Sequence, residues 1–424
     1  MIDCIAEAMS LGLRSYILGK VFQSIPLYFA HWEDARLDKS GLDAAFAALT
    51  EEAMACKTRR DFSLLMMAFL ATLNNGHTRF RDEVFDRLPS TGMALRPLED
   101  RWTVVRSSLS GLRVGDAVVR IEDKPVELWY EELVPYTVGS SQSRTLQFGD
   151  RNAIFPALIG LFLPESYIIE GEDADGAYLT LRVDRTSIQG DVSSDRTWGR
   201  WLEGSLAYIK VPSFLDPAFE EQALTLVKEF GRAASLIVDV RGNGGGSTPQ
   251  RLTRALMNRP YRWWTESSPL NVGLLSYQAQ GGHDGQLFGD SQLLRQSPVR
   301  DPDPEAYSGR LILLVDCATY SAAEDFVMPF RHNGRATLIG EPTGGSTGQP
   351  YYHDFGNGMA FAISTKRAHL PGGGRFEGVG LAPDTLVFPR REDLYAGRDP
   401  VLERAIAVAQ MEEDEEPERT HRRT

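Results

Sequence analysis

From about residue 204 the chain alternates strand, helix, strand twice over, and that pattern confines it to an α/β layer with parallel strands. The first module reads "SLAYIKVPSF", then the amphipathic "PAFEEQALTLVKEFGRAA", then the β-branched run "SLIVDVRGNGGG". The second runs from "LILLVD", through the segment after Ser321, to "ATLIGE". Each apolar run is short and bounded by turn residues, as buried strands are.

Upstream, residues 1 to about 80 carry apolar residues at helical spacing, as in "LDAAFAALTEEAMA" and "DFSLLMMAFLATL", with Pro26 the main interruption. This predicts a helical domain over residues 1–82, closing at "NNGHTRF" with His77 just past a helix end. "GMALRPLEDRWTVVRSSLSGLRVGDAVVRIEDKPVE" alternates in short runs broken by Gly, Asp and Pro, which predicts a β-rich domain over 83–140. Residues 140–185 mix an expected helix, "SRTLQFGDRNAIFPALIGLF", with strands around "SYIIEG" and "AYLTLRV". The α/β core is expected over 141–395, and 396–424 as a helix ending in the tail "QMEEDEEPERTHRRT", which is too charged to pack.

A chain of 424 residues, 42% of them apolar, can bury more than one core, so a multi-domain α/β protein is expected. With Lys and Arg at 45 against 58 Asp and Glu, the net charge of −13 argues against a nucleic-acid or anionic-membrane surface. No run of about 20 apolar residues predicts a membrane span. The N-terminus lacks a basic start followed by an apolar run, so no secretory signal is expected. Cys4, Cys56 and Cys317 are widely spaced and form no metal-type pair, which fits a reducing compartment; we expect a cytoplasmic protein with no metal or cofactor.

"VDCATYSAAEDF" places Ser321 after a buried-type strand and a short turn, with Phe326, Val327 and Phe330 on one face of the helix that follows. At a helix N-terminus, unpaired N–H groups and the helix dipole favour negative charge, and the N–H of Ala322 can face an oxyanion created by attack of a serine hydroxyl. Serine is also among the commonest helix N-caps, so these residues alone leave cap and nucleophile both standing. "DVRGNGGGST" sets a glycine cluster directly after a strand, where backbone amides can approach a ligand; it matches neither a P-loop nor a dinucleotide fingerprint, and a plain turn fits equally. A serine nucleophile needs a base, and spacing does not choose among His31, His77, His283, His332, His353, His369 and His421.

In order, "LIVDVRGNGGG", "LLVDCATYSAAEDF", "ATLIGEPTGGSTGQP" and "GRFEGVGLAPD" resemble the motifs of the C-terminal processing (tail-specific) peptidase and tricorn core family of serine peptidases. "LNNGHTRF" is similar to that family's Asp-Gly-His-Thr segment, and "SGLRVGDAVVRIEDKPV" to the second half of a PDZ domain. The resemblance implies a ClpP/crotonase-like α/β core, with an N-terminal helical domain and a degenerate PDZ-like domain. It implies Ser321 as nucleophile. The processing branch carries a lysine base where Ser346 stands here, and a serine cannot replace it. The resemblance then implies the tricorn-like set, with His77 as base and Glu377 beside it, directly or through the hydroxyl of Thr78 or Ser346. Oxyanion donors would be Ala322 and a glycine of the cluster, Gly244 or Gly245. Asn75 stands where the family has Asp, and "STGMAL" where a carboxylate-binding loop would be.

The implied activity is hydrolysis of peptides or unfolded protein segments through an acyl-enzyme, with a homo-oligomer left open. The alternatives are a non-catalytic carrier of an apolar ligand or peptide, as in the related domains of interphotoreceptor retinoid-binding protein, and a PDZ-bearing interaction protein without chemistry. "YRWWTESSPLNVGLLSY" is the stretch that could line a carrier's pocket.

Overall fold

The computed structural model describes residues 7–85, 91–149, 163–184, 196–270 and 292–411. It has two compact units, each drawn from separated stretches: 1–191, 266–295 and 348–368 in the first, 192–265, 296–347 and 369–424 in the second.

The first unit opens with helices Leu11–Tyr28, Leu42–Ala55 and Arg59–Ala71. Ser10 caps the first through Leu13 N–H at 3.2 Å, and Thr58 caps the third through Asp61 N–H at 3.1 Å. Pro26 does not interrupt the first helix as the sequence suggested; it sits in the last turn, and Phe29 N–H still reaches the Ile25 carbonyl at 2.9 Å. Strand Arg79–Asp82 pairs antiparallel with Met359–Ser364, Phe80 opposite Phe361, and Met359–Ser364 pairs in turn with Pro350–Asp354. A separate antiparallel sheet takes Met93–Leu98, Arg101–Ser107, Ala117–Ile121, Ser166–Glu172 and Tyr178–Asp184 in that order, with Lys124–Pro125 beside Ala117–Ile121. Of the expected helix over 143–162, Ser141–Gly149 is helical and 150–162 lies outside the described residues, as does the tail from 412.

The second unit is the predicted α/β layer. Its sheet runs Thr385–Leu386, Ala336–Gly340, Arg310–Val315, Ser235–Asp239, Leu206–Lys210, Trp198–Trp201; the first five strands are parallel and the last antiparallel. All five residues of Ser235–Asp239 are buried, as expected of a central parallel strand covered on both faces. On one face Leu206, Ile237, Ile312, Leu314 and Ile339 pack against Val401, Ala405 and Ala409 of helix Pro400–Met411. Helices Pro217–Glu229, Gln250–Leu256 and Ala322–His332 complete the layer. The first begins as the sequence dictates, with Asp216 accepting from Ala218 N–H at 2.8 Å and proline in the first turn. Among the described residues no helix is long and apolar enough to cross a membrane.

Candidate active site

Three loops leave the carboxyl ends of adjacent parallel strands, the edge at which open α/β sheets bind their ligands. They are 240–249 after Ser235–Asp239, 316–321 after Arg310–Val315, and 341–349 after Ala336–Gly340. The candidate residues of the second unit lie on them and on the segment around 377.

Ser321 is the N-cap of helix Ala322–His332 and has φ 56° and ψ −121°. A side chain at positive φ costs about 1–3 kcal/mol and persists only where its surroundings enforce it. Here they do. Its N–H donates to Glu324 Oε2 at 3.1 Å and to the Ser346 carbonyl at 3.2 Å, and its carbonyl accepts from the N–H groups of Glu324 at 2.8 Å and Asp325 at 3.0 Å. The backbone is thus clamped from both sides and turned sharply between strand and helix, the geometry that presents a hydroxyl at a helix N-terminus.

The glycine cluster closes on this turn. Gly245 has φ +96°, and a Cβ there would stand 2.8 Å from Ser321 Cβ and 2.9 Å from Ala322 N. Only glycine admits that approach, so the Gly245 backbone lies against the first N–H of the helix. Gly244 precedes it in the same turn. The cluster is held by the fully buried Asn243, whose Oδ1 accepts from Gly245 N–H at 2.9 Å, whose Nδ2 donates to the Val211 carbonyl at 3.1 Å, and whose carbonyl accepts from Tyr320 N–H at 2.9 Å. Below it Asp239, buried at its strand end, accepts from the Tyr208 hydroxyl at 2.7 Å, Lys210 Nζ at 3.1 Å and Arg241 Nη2 at 2.6 Å. Burial alone would raise its pKa, but the Lys210 and Arg241 cations outweigh it and hold it down at about 2. Arg241 also reaches both oxygens of Asp399, at 2.8 and 2.7 Å.

Glu324, at the third position of the helix and fully buried, is the residue that sequence reasoning missed. Besides Ser321 N–H it accepts from Gly345 N–H at 2.7 Å, Ser346 N–H at 3.0 Å and the Thr343 hydroxyl at 2.5 Å. Burial pushes its carboxyl up to about 7, against the lowering effect of these donors. The available signal was Ser-x-x-Glu before an apolar run, a capping-box pattern, and the structure has its glutamate half, Ser321 N–H to Glu324 Oε2.

Ser346 lies beside Ser321 through the backbone bond just given. Glu377 is 4% exposed, and its Oε1 accepts from Thr347 N–H at 3.4 Å. Its segment is tied to the same loop by Gly378 N–H to the Gly345 carbonyl at 2.7 Å and Leu381 N–H to Thr343 Oγ1 at 2.8 Å. Ser321, Ala322, Gly244, Gly245, Ser346 and Glu377 are therefore brought onto one connected set of loops in the second unit.

His77 and Thr78 belong to the first unit. His77, 8% exposed, donates its backbone N–H to Asn75 Oδ1 at 2.9 Å, and Thr78 Oγ1 accepts from the backbone N–H of Ser364 at 3.0 Å. Asn75 closes this turn through its side-chain oxygen, so the amide supplies the acceptor that a carboxylate would. Arg144 Nη2 donates to the Ala71 carbonyl at 3.2 Å and to Asn74 Oδ1 at 3.1 Å, fixing the loop at the end of helix Arg59–Ala71.

Residues 205–387 match the sequence profile of peptidase family S41. The chain is 26% identical over 188 residues to the chloroplastic C-terminal processing peptidase of Tetradesmus obliquus, a match covering 43% of this chain and 35% of that one. It is 24% identical over 213 residues to putative tricorn protease homolog 2 of Streptomyces coelicolor, covering 49% and 15%. The chain thus spans about a third, or less, of the length of these curated relatives. Its fold is similar to that of mature CPAF, with a TM-score of 0.68 at 15% identity over 90% of this chain and 93% of that one. The complex of mature CPAF with lactacystin gives 0.70 at 15% identity over 94% and 97%.

Proposed function

Residues 205–387 belong to peptidase family S41, and on that premise we propose that the chain is a serine peptidase that hydrolyses peptides or unfolded protein segments through an acyl-enzyme. Ser321 Oγ attacks the scissile carbonyl carbon while His77 takes its proton. The tetrahedral oxyanion is held by the N–H of Ala322 and by one from the glycine cluster, that of Gly244, or that of Gly245 once it leaves Asn243 Oδ1. As the intermediate collapses, His77 passes the proton to the leaving amine. Water, deprotonated by the same imidazole, then attacks the ester carbon and releases Ser321. Glu377 supports the imidazolium, directly or through the hydroxyl of Thr78 or Ser346.

The observation that carries this reading is the Ser321 turn: a serine at φ 56° at the head of a helix, with Gly245 packed against the first helical N–H. A plain N-cap needs neither the strained backbone nor the glycine contact, whereas a nucleophile on a sharp strand-to-helix turn accounts for both. With serine at position 346, the lysine base of the processing branch has no counterpart there, which favours histidine.

A fluorophosphonate probe tests it. Wild type should be labelled covalently, Ser321→Ala not at all, and His77→Ala at least a hundredfold more slowly. Labelling that survives Ser321→Ala would refute the assignment.

A further inference from the structure

Two adjacent carboxylates head helix Ala322–His332, and the second has a separate set of partners. Asp325 is 8% exposed and accepts three side-chain hydrogen bonds. Thr248 Oγ1 donates to Oδ2 at 2.6 Å, while Trp264 Nε1 and Thr347 Oγ1 donate to Oδ1, both at 2.8 Å. The donors come from three places: the end of the glycine-rich loop, the segment after helix Gln250–Leu256, and the loop after strand Ala336–Gly340.

Each of the last two leads to Glu377. Thr347, fixed by its hydroxyl, turns its N–H to Glu377 Oε1 at 3.4 Å. Trp264, fixed by its indole N–H and only 1% exposed, lies against the Phe376 ring with centroids 4.4 Å apart. Glu324 meanwhile holds Thr343, Gly345 and Ser346, so the two carboxylates divide one loop between them. A buried acceptor satisfied by three donors from separate segments fixes their mutual spacing, because moving any one strands a polar group away from water.

We infer that Asp325 is a positioning residue for the candidate active site, setting the place of Glu377 through Thr347 and through the Trp264–Phe376 pair. The inference rests on the proposed role of Glu377. Asp325 touches no reacting atom in this scheme; it acts through its neighbours' hydrogen bonds. An asparagine at 325 keeps the oxygen that Trp264 and Thr347 share, and the Thr248 hydroxyl can turn to accept from the new amide. An alanine keeps nothing.

The rate constant for fluorophosphonate labelling, with the melting temperature alongside, reads this out on the full chain. Asp325→Ala should label at least tenfold more slowly than wild type, and Asp325→Asn within about threefold of it. Glu377→Gln should also slow labelling, and adding Asp325→Ala to it should cost less than a further twofold, because the alanine acts through the group already removed. A purely structural role predicts effects that multiply, and that result overturns the inference, as does a folded Asp325→Ala that labels at the wild-type rate. Should Asp325→Ala fail to fold, Thr347→Val removes one donor alone; slowed labelling supports the inference and an unchanged rate overturns it. Wild type that does not label, or Glu377→Gln that labels normally, overturns the functional reading together with this inference. Normal Ser321 dependence with multiplying effects overturns this inference alone.

Discussion

At the scale of single residues, the site is built from exceptions that neighbouring groups enforce. Ser321 keeps a left-handed φ because both of its peptide groups are bonded, and Gly245 is glycine because the approach leaves no room for a methyl. Replacing Gly245 by Ala sets a Cβ 2.7 Å from the Tyr320 carbonyl and 2.9 Å from Ala322 N, so the loop must withdraw. We expect kcat to fall by about a hundredfold or more, as when one oxyanion donor is lost. Steady-state kinetics beside the melting curve separates this from unfolding. Much at this scale was legible. A serine after a strand and a glycine cluster after its neighbour were visible as types, since strand-to-helix turns use few residues. Glu324 was not singled out, because its importance lies in three partners some twenty residues downstream. Asp325 was hidden because two of its three partners, Thr248 and Trp264, lie 77 and 61 residues upstream.

At the scale of elements, the parallel sheet decides which loops meet, and its anchors can be tested singly. The strand Ser235–Asp239 ends in a buried carboxylate that neutralises Lys210 and Arg241 where the glycine-rich loop begins. Asp239→Asn takes the carboxylate from Lys210 and leaves Arg241 to Asp399, and should cost about 3 kcal/mol in denaturant titration. Asp239 also gives a pH signature. Its pKa is depressed from 3.8 to about 2, so its contribution to stability is complete above about pH 4 and lost as the pH falls through that interval. The shift is worth about 2 kcal/mol, and that part of the acid slope should be absent in Asp239→Asn. Strand and helix identity in this layer was readable from apolar runs and amphipathic spacing. Pro26 misled because a proline near a helix end costs one hydrogen bond without ending the element.

At the scale of the whole molecule, pH dependence tests the proposed base. A histidine base gives a rate rising through roughly pH 6 to 7. Glu324, pushed up to about 7 by burial, gains or loses its proton in the same interval. Mutation separates them: Glu324→Gln should lower the rate yet keep the rising limb, and the residual rate of His77→Ala should lack it. Stability carries the opposite sign from Asp239. With its pKa raised from 4.5, Glu324 favours the fold below about pH 4.5, and that contribution fades as the pH climbs to about 7. What the sequence hid at this scale is pairing across great separation. Strand Arg79–Asp82 finds its partner at Met359–Ser364, and no local pattern at either place announces the other.

The polypeptide passes from one compact unit to the other five times, at 191/192, 265/266, 295/296, 347/348 and 368/369. A ribosome making it from the N-terminus finishes the first unit only when residue 368 has emerged, and Glu377 follows later still. A nascent chain that has passed residue 321 but not 368 would therefore carry Ser321 before the first unit is finished and before Glu377 exists.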